Sequence, residues 1–285
     1  MRHSKNIHFL IGLASANIGL IRNDDEVALI DAGWTEESVA HLLWYLELIR
    51  VKRIKYLFLS HGDYDHIGGA RQIRRTYGAE IVVHEDEVEK LKRPTPPIMP
   101  ISWDIALNRE EDFHVGNLRL KVIPTPGHCS GSVCVYLKED KALFAGDMIV
   151  SRNFNIFCRE GWKSYSYVRL PLFKLEDMSV FLESLMKIRK LELKWILPGH
   201  GCPILDPIEH IDQTLDMTKK IMATSLDFFK ERHTSTELAE ILEVNPLFAK
   251  EVTLRLESER RIERIDEETV IKEPIYLQKS KILGE

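Results

Sequence analysis

Residues 60 to 69 read Ser-His-Gly-Asp-Tyr-Asp-His-Ile-Gly-Gly, and four of their side chains are groups that bind metal ions in proteins. These four are His61, Asp63, Asp65 and His66. The apolar run over residues 55–59 comes directly before them and predicts a buried strand, while a helical pattern follows the two glycines. Neutral imidazole and carboxylate are ligands for Zn²⁺ and similar first-row ions. The stretch therefore predicts a metal site where a strand turns into a helix.

Three more candidate ligands lie downstream in comparable settings. They are His128 after Pro-Thr-Pro-Gly, Asp147 after Leu-Phe-Ala-Gly, and His200 after Ile-Leu-Pro-Gly. Glycine permits the tight turns that bring a side chain and the backbone close to a bound ion. Loops that follow strands are also where layered αβ folds build their sites. We therefore expect these three side chains to join the first four.

The order of these motifs resembles that of the metallo-β-lactamase superfamily. In that family a His-x-His-x-Asp-His run is followed by Gly-His, Gly-Asp and Gly-His at similar spacing. Asp31, within Leu-Ile-Asp-Ala-Gly, matches a further motif near the start of the domain. The resemblance covers about residues 9–205. It implies an α/β fold, the four-layer αβ/βα sandwich, with a dinuclear metal site on one edge.

The resemblance also implies a role for each candidate ligand. Three side chains would hold each of two metal ions, and one would bridge them. The first ion would bind His61, Asp63 and His128. The second ion would bind Asp65, His66 and His200, and Asp147 would bridge the two ions. Asp65 would also orient the attacking hydroxide, which makes it the candidate catalytic residue. Asp31 would orient the ligands without binding an ion itself.

Asp63 departs from the commonest family pattern, which has histidine at this position. Some relatives, including the flavodiiron branch with glutamate, also place a carboxylate there. An oxygen ligand adds negative charge and shifts the preference of the first site from zinc toward iron or manganese. The sequence therefore predicts two divalent metal ions, with zinc as the first choice and iron or manganese as the alternatives.

The composition is that of a globular protein without unusual bias. Of the 285 residues, 44% are hydrophobic and 29% are charged, and the net charge is −5. This negative balance gives no general attraction to nucleic acid or to anionic membrane. The four cysteines have no disulfide-framework spacing, which favours a reducing compartment.

The N-terminal apolar stretch from Phe9 to Ile21 has the length of a signal-peptide core, and Arg2 and Lys5 precede it. Asn17 interrupts this stretch, however, and residues 27–31 read as the next strand of a hairpin. The first strands of the domain explain the segment better. No run reaches the ~18 apolar residues that a membrane span needs. We therefore expect a cytoplasmic protein with no membrane partner.

The character of the chain changes after Pro207, which predicts a catalytic domain over residues 1–206 and a small domain over residues 207–285. Three helical patterns and two strand-like alternations follow one another, at 208–230, 234–242, 245–256, 261–265 and 269–271. This order resembles a winged-helix module. Such a module also occurs in the branch of the family that resembles mammalian lactamase-beta-like RNA endonucleases.

The charge of this segment bears on its partners. Residues 231–274 hold seven Lys and Arg against twelve Asp and Glu, whereas phosphate contacts need concentrated positive charge. Nucleic-acid binding is therefore the less favoured alternative. A scaffold that packs on the sandwich, shapes the active-site mouth or forms a homodimer contact is favoured.

The substrate pocket is less visible in the sequence than the metal site. Residues 149–172 lie between two ligands and are expected to form one wall of the pocket. Its polar candidates are Arg152, Tyr165, Tyr167 and Arg169. Either tyrosine would be able to donate a hydrogen bond to an oxyanion, and packing of a long loop explains the tyrosines equally well.

The expected function is that of a metal-dependent hydrolase. A metal-bound hydroxide would cleave a small-molecule ester, thioester or lactone, as in the similar hydroxyacylglutathione hydrolases, with weak β-lactamase activity on the side. Two alternatives stay open: a phosphodiesterase or ribonuclease that uses the C-terminal module, and an iron-dependent redox protein.

Overall fold

The computed structural model describes residues 4–12, 16–94, 98–151, 178–230, 233–242, 246–258, 260–264 and 275–278. Two β-sheets form the centre of the main body, and helices cover the outer face of each sheet. This layering follows from the apolar patterns of the individual strands.

The first sheet has six strands in the order in which they occur along the chain. They are β1 (Ile7–Leu10), β2 (Ile18–Asn23), β3 (Glu26–Ile30), β4 (Tyr56–Phe58), β5 (Glu80–His84) and β6 (Ile105–Leu107). β1, β2 and β3 pair antiparallel, and β3 to β6 pair parallel. Parallel neighbours need a crossover connection, so the segments after β3 and β4 carry helices.

The second sheet has five strands in the order β11-β10-β9-β8-β7. They are β7 (Glu111–Val115), β8 (Leu118–Pro124), β9 (Val133–Leu137), β10 (Ala142–Gly146) and β11 (Trp195–Pro198). All neighbours pair antiparallel except β10 and β11, which are parallel. The segment between these two strands therefore crosses over and includes a helix.

Eight α-helices lie within the described residues. They are α1 (Glu36–Leu48), α2 (Tyr64–Ile67), α3 (Ala70–Tyr77), α4 (Val88–Lys92), α5 (Met178–Arg189), α6 (Pro207–Phe228), α7 (Ser235–Leu242) and α8 (Pro246–Ser258). Thr35 caps α1, since its side chain accepts a hydrogen bond from the amide of Ser38. A 3-10 turn, Glu85–Glu87, leads from β5 into α4.

The strand β3 shows why the sheets stack in layers. Successive side chains of a strand point to opposite faces, and here both sets are apolar. Ala28 and Ile30 pack between the two sheets, whereas Val27 and Leu29 pack under the helices of the first sheet. The strand is thus buried on both faces, as its unbroken apolar run indicates.

Three apolar clusters separate four layers. The middle cluster joins the two sheets, with Phe9 and Phe58 facing Val135 and Phe144. One outer cluster joins the first sheet to α1 and α3, and the other joins the second sheet to α5 and α6. This arrangement confirms the predicted α/β sandwich with helix, sheet, sheet and helix layers.

The C-terminal segment adds helices and a small sheet. After α6, the strands β12 (His233–Thr234), β13 (Ile262–Arg264) and β14 (Ile275–Gln278) pair antiparallel in the order β12-β14-β13. The partner of β13 is β14, and the strand predicted at 269–271 lies outside the described residues. Alternation of residue type marks a strand but does not identify its partner. The winged-helix identity and the boundary at residue 206 stay predictions.

No helix among the described residues is both long and apolar enough to cross a membrane.

Candidate metal centre

The structure brings all seven predicted ligands together at one edge of the sandwich. His61 and Asp63 follow β4, and Asp65 and His66 lie within α2. The other three side chains come from the second sheet. His128 lies on the loop after β8, Asp147 directly follows β10, and His200 lies shortly after β11. Both sheets therefore contribute to one cluster.

The first group of side chains converges on one oxygen of Asp63. Its Oδ2 lies 3.4 Å from His61 Nε2 and 3.4 Å from His128 Nε2. Asp63 occupies the N-cap position of α2, yet its side chain makes no capping hydrogen bond to the helix. An aspartate at this position usually accepts from the first turn. Here the carboxylate faces the histidines instead.

The second group converges on Asp65. Its Oδ2 lies 3.1 Å from His200 Nε2 and 3.7 Å from His66 Nε2. Asp147 stands between the two groups: its Oδ1 lies 3.3 Å from His66 Nε2, and its Oδ2 lies 3.8 Å from His128 Nε2. One carboxylate thus presents an oxygen to each group, which is the arrangement that a bridging ligand requires.

Several buried atoms in this cluster have no hydrogen-bond partner among the described residues. They are Nε2 of His61, Nε2 of His66, both ring nitrogens of His128, and Oδ1 of Asp147. Leaving a buried polar atom unsatisfied costs roughly 1–3 kcal/mol. A divalent cation between these nitrogens and oxygens would satisfy them together. The donor set, imidazole with carboxylate, also suits zinc and similar ions, so the residues fit a divalent metal site.

Protons balance the charge of the cluster when no cation does so. Burial lowers the pKa of His66, but Asp147 and Asp31 outweigh burial and raise the net pKa well above its ordinary value. The same competition between burial and Asp147 raises the pKa of His200 to about 9. Burial raises the pKa of Asp147, yet His66 and His200 hold it well below the usual range. Burial followed by repulsion from His66 lowers the pKa of His61.

Asp31 and Ser60 orient two of the imidazoles from behind. His66 Nδ1 lies 2.8 Å from Asp31 Oδ2, and the amide and hydroxyl of Ser60 donate to the same carboxylate at 2.8 Å each. Ser60 Oγ also lies 3.0 Å from His61 Nδ1. With each Nδ1 occupied, each Nε2 points into the cluster. Ser60 was missed in the sequence, although a buried hydroxyl directly before the first ligand is a usable signal.

Gly199 allows the loops that carry Asp147 and His200 to touch. Its amide donates to the carbonyl of Gly146 at 2.7 Å. A Cβ at Gly199 would lie 2.3 Å from Asp147 Oδ1 and 2.9 Å from Gly146 O. Any side chain here would displace the carboxylate, so the glycine before His200 is a steric requirement of the site.

Two residues near the cluster, Glu87 and Lys90, have no counterpart in the sequence predictions. Glu87 is fully buried beside the ligand loops, and Lys90 lies next to it.

Cys129 is also buried near the cluster, and its Sγ lies within 4.8 Å of the ligand atoms of the first group. Burial, followed by the charge of Asp63, raises the pKa of this thiol to about 12, which fits a small buried residue. The four residues predicted to line the pocket, Arg152, Tyr165, Tyr167 and Arg169, lie outside the described residues.

An exposed aromatic pair adjoins the cluster in the chain. Tyr64 lies between Asp63 and Asp65, and its ring packs edge-on against Trp34 with the centroids 4.7 Å apart. Both side chains stay well exposed, at 42% and 39%. Paired aromatic rings are an uncommon use of open surface, and they offer an apolar contact beside the ligands.

Comparison with known proteins identifies the family. A family model described as the metallo-beta-lactamase superfamily matches residues 11–200, which include every candidate ligand. The chain belongs to the metallo-beta-lactamase superfamily. The family assignment made from the motifs is therefore confirmed, and with it the assignment of the chain as a hydrolase. The donor set of the histidine and aspartate cluster suits a divalent metal ion, as expected of a member of this superfamily.

Individual members of the superfamily are similar over different lengths. A beta-lactamase-like protein 2 homolog of Drosophila melanogaster is 27% identical and covers 77% of this chain and 70% of its own length. A hydroxyacylglutathione hydrolase of Pelagibacter ubique is 29% identical over 44% of this chain and 47% of its own length. The structure of a metallo-beta-lactamase family protein of Thermus thermophilus superposes with a TM-score of 0.72 at 20% identity, covering 98% and 100% of the two chains. This last likeness shows the fold, including the C-terminal segment.

Proposed function

We propose that this protein holds two divalent metal ions and hydrolyses a small acyl thioester, with esters and lactones as related substrates. The observation that carries the proposal is the position of Asp147 between two groups of ligands, with one oxygen facing each. The first ion would bind His61, Asp63 and His128. The second ion would bind the remaining three predicted ligands, Asp65, His66 and His200.

The chemistry depends on the charge of the site. Divalent ions at this site would supply Lewis acidity and lower the pKa of water toward neutrality. The protein contributes orientation, since the Asp31 carboxylate holds His66 at 2.8 Å. No serine or cysteine nucleophile is needed for this reaction. The high pKa of Cys129, about 12, also leaves that thiol uncharged at neutral pH.

The carboxylates form the open side of the cluster. The side chains of Asp63, Asp147 and Asp65 are 11%, 16% and 20% exposed, and His200 beside Asp65 is 13% exposed, whereas His61 and His66 are at most 1% exposed. Substrate and water therefore approach from the carboxylate side. The hydrogen bond with His200 lowers the pKa of Asp65 against the opposing effect of burial, so Asp65 stays ionised and accepts a hydrogen bond from the attacking water. We assign Asp65 this catalytic role.

A thioester suits the site for two reasons. A thiol has a pKa near 8.5, far below that of an alcohol, so a thiolate leaves without a strong proton donor. The exposed pair of Trp34 and Tyr64 offers an apolar contact for the acyl or thiol portion of a substrate. The name of the hydroxyacylglutathione hydrolase of Pelagibacter ubique also describes cleavage of an acyl group from a thiol compound.

The decisive experiment combines metal analysis with hydrolysis by the purified protein and an Asp147→Ala variant. We expect about two divalent ions per chain in the native protein and a loss of at least one in the variant, because the bridging carboxylate is removed. Hydrolysis of acylglutathione thioesters, with aryl esters, lactones and a chromogenic β-lactam tested beside them, should fall by about a hundredfold or more in the variant.

A buried histidine outside the cluster provides the control. His84 is 8% exposed, and its ring accepts a hydrogen bond from the amide of Asp86. His84→Gln should keep both ions and full activity. Full metal content in Asp147→Ala would contradict the bridging role, and a metal-free native protein that still hydrolyses thioesters would contradict the proposal as a whole. Iron in place of zinc would move the redox alternative forward.

A further inference from the structure

A charge network with a buried carboxylate and a partly exposed ammonium lies beside the first ligand group, and the mechanism above does not use it. Its centre is Glu87, which is fully buried at the end of the 3-10 turn that follows β5. Oε2 of Glu87 accepts from the amide of Gly62 at 2.7 Å, and Oε1 accepts from the amide of Gly131 at 3.2 Å. Gly62 precedes Asp63, and Gly131 lies on the loop of His128. One carboxylate therefore joins the backbones of two ligand-bearing loops.

Close packing around the glycines shows that this network is tightly fitted. A Cβ at Gly62 would lie 2.8 Å from Glu87 Oε2 and 2.9 Å from Lys90 Cβ. A Cβ at Gly131 would lie 2.6 Å from Glu87 Cγ. Neither position has room for a side chain, so the distance between the ligand loops and Glu87 is fixed by contact.

Lys90 completes the network on its metal-facing side. It follows Glu87 by one helical turn, and its Nζ lies 2.9 Å from Glu87 Oε2. The same ammonium lies 3.2 Å from Cys129 Sγ and 3.7 Å from Asp63 Oδ1. An ammonium has three donors and no acceptor. Each of its three neighbours is an acceptor, and Glu87 sets the position of the ammonium.

The two oxygens of Asp63 are consequently assigned to different partners. Oδ2 faces His61 Nε2 and His128 Nε2 at 3.4 Å each, whereas Oδ1 faces Lys90 at 3.7 Å. A carboxylate without such a neighbour binds a cation through either oxygen or through both. The nearby Lys90 ammonium disfavours binding of the cation by both oxygens of Asp63, because Oδ1 would have to move away from Lys90.

We propose that Lys90, held by Glu87, is a positioning residue for Asp63. It retains Oδ1, so that Asp63 offers the first metal ion a single oxygen, and it offsets part of the negative charge that a carboxylate brings to a position where histidine is more common in the family. This inference rests on the proposed role of Asp63 as a ligand. A loss of the Lys90 effect and a loss of the ligand role of Asp63 give different results in the following variants.

Cobalt(II) loading of the whole protein tests the proposal, because the visible spectrum of this ion reports its coordination. In Lys90→Met, Asp63 is free to bind through both oxygens, and the coordination number at the first site rises. We expect the visible absorption of that site to fall by about twofold or more. Lys90→Arg keeps the charge and should restore most of the native spectrum.

Two further variants show whether the effect passes through Asp63. In an Asp63→His background, Lys90→Met should leave the cobalt spectrum unchanged, because imidazole offers one nitrogen whether or not Lys90 is present. Lys92 provides the matched control: it lies on the same helix and pairs with Glu89 at 2.6 Å at the same i,i+3 spacing. Lys92→Met should retain the native spectrum.

The outcomes are distinct. A native spectrum in Lys90→Met, with both cobalt ions bound, would overturn the positioning role. The same spectral change in the Asp63→His background would also overturn it, because the effect would then bypass Asp63. Unaltered metal content in Asp63→Ala, which has no donor atom at this position, would show instead that Asp63 is not a ligand. Lys90→Gln keeps a donor toward Glu87, and it carries the test if the methionine variant does not fold.

Discussion

The histidines of the candidate metal centre differ in the pKa of their imidazole rings. In the metal-free protein the pKa of His200 lies at about 9, after Asp147 overcomes the opposing effect of burial, and the pKa of His66 is also raised. The ring of His200 is therefore protonated at pH 7.5, and the raised pKa of His66 favours protonation of that ring as well. A metal ion needs the neutral ring, so binding must displace these protons.

This difference predicts proton release on metal binding. Below pH 9 the apparent zinc affinity should rise with pH, by about tenfold per unit for each displaced proton, and level off above the pKa of His200. Calorimetry at pH 7.5 in two buffers with different ionisation enthalpies measures the protons released. His200→Ala should release about one proton fewer. Equal heats in both buffers would contradict the prediction.

The residue scale also shows where prediction from sequence succeeds and where it stops. His61, Asp63, Asp65 and His66 are recognisable because ligands on one turn have a fixed local spacing. Glu87 is not recognisable, because it meets Gly62 across 25 residues of chain and only the packing of α4 brings them together. Residues that bind an ion carry a chemical signature, whereas residues that hold the ligands are defined by distance in space.

At the scale of elements, the loop between β1 and β2 holds the loop of His200. Asn17 is 3% exposed, and its side-chain amide donates to the carbonyls of Pro198 and Gly201 at 2.9 and 2.8 Å. Its side-chain oxygen accepts from the amide of Gly12 at 2.9 Å. The polar residue that interrupts the N-terminal apolar stretch is therefore a connection between the edges of the two sheets.

Replacing Asn17 should destabilise the loop that carries His200. Asn17→Ala removes the side-chain donor from the buried carbonyl of Pro198 and the partly buried carbonyl of Gly201, and we expect a loss of about 1–3 kcal/mol in the free energy of unfolding. Weaker retention of the ion that we propose to bind at His200 should accompany this loss of stability. Urea unfolding and metal retention during dialysis measure the two effects. Asn108→Ala, which removes an exposed contact with Glu85, should change neither by a measurable amount.

Element existence was easier to predict than element pairing. The runs at Val133–Leu137 and Ala142–Gly146 are strands because their apolar residues are buried on both faces. The strand predicted at 269–271 lies outside the described residues, and β13 pairs with β14, where Ile262 lies opposite Gln278. Antiparallel partners separated by a long connection leave no local pattern, so their register depends on contacts that form only in the folded protein.

Across the whole molecule, the C-terminal segment shares its core with the sandwich. Ile211 on α6 is fully buried in the same apolar cluster as Phe181 on α5 and Ile196 on β11. Arg189 and Asp212 also form an ion pair between α5 and α6. A continuous core indicates that α6 and the second sheet are stabilised together.

This continuity predicts cooperative unfolding. Ile211→Ala should cost about 2–5 kcal/mol through lost burial and the cavity left behind, and it should shift one transition for the whole chain. Thermal unfolding followed by far-ultraviolet circular dichroism and by tryptophan fluorescence should give coincident curves. Ile208→Ala, an exposed position on the same helix, is the control. Two separate transitions, with only one displaced, would favour an independent domain beyond residue 206.

Because both sheets contribute to one candidate metal centre, the order in which the ribosome synthesises the chain determines when the site can form. His61 is synthesised long before His200, and all five strands of the second sheet, β7 to β11, lie between them in the chain. A nascent chain that ends before β11 has neither the full ligand set nor the surface that aligns it. The complete set of candidate ligands therefore exists only after β11 has joined the second sheet, so we expect binding of both proposed ions to require the closed sandwich.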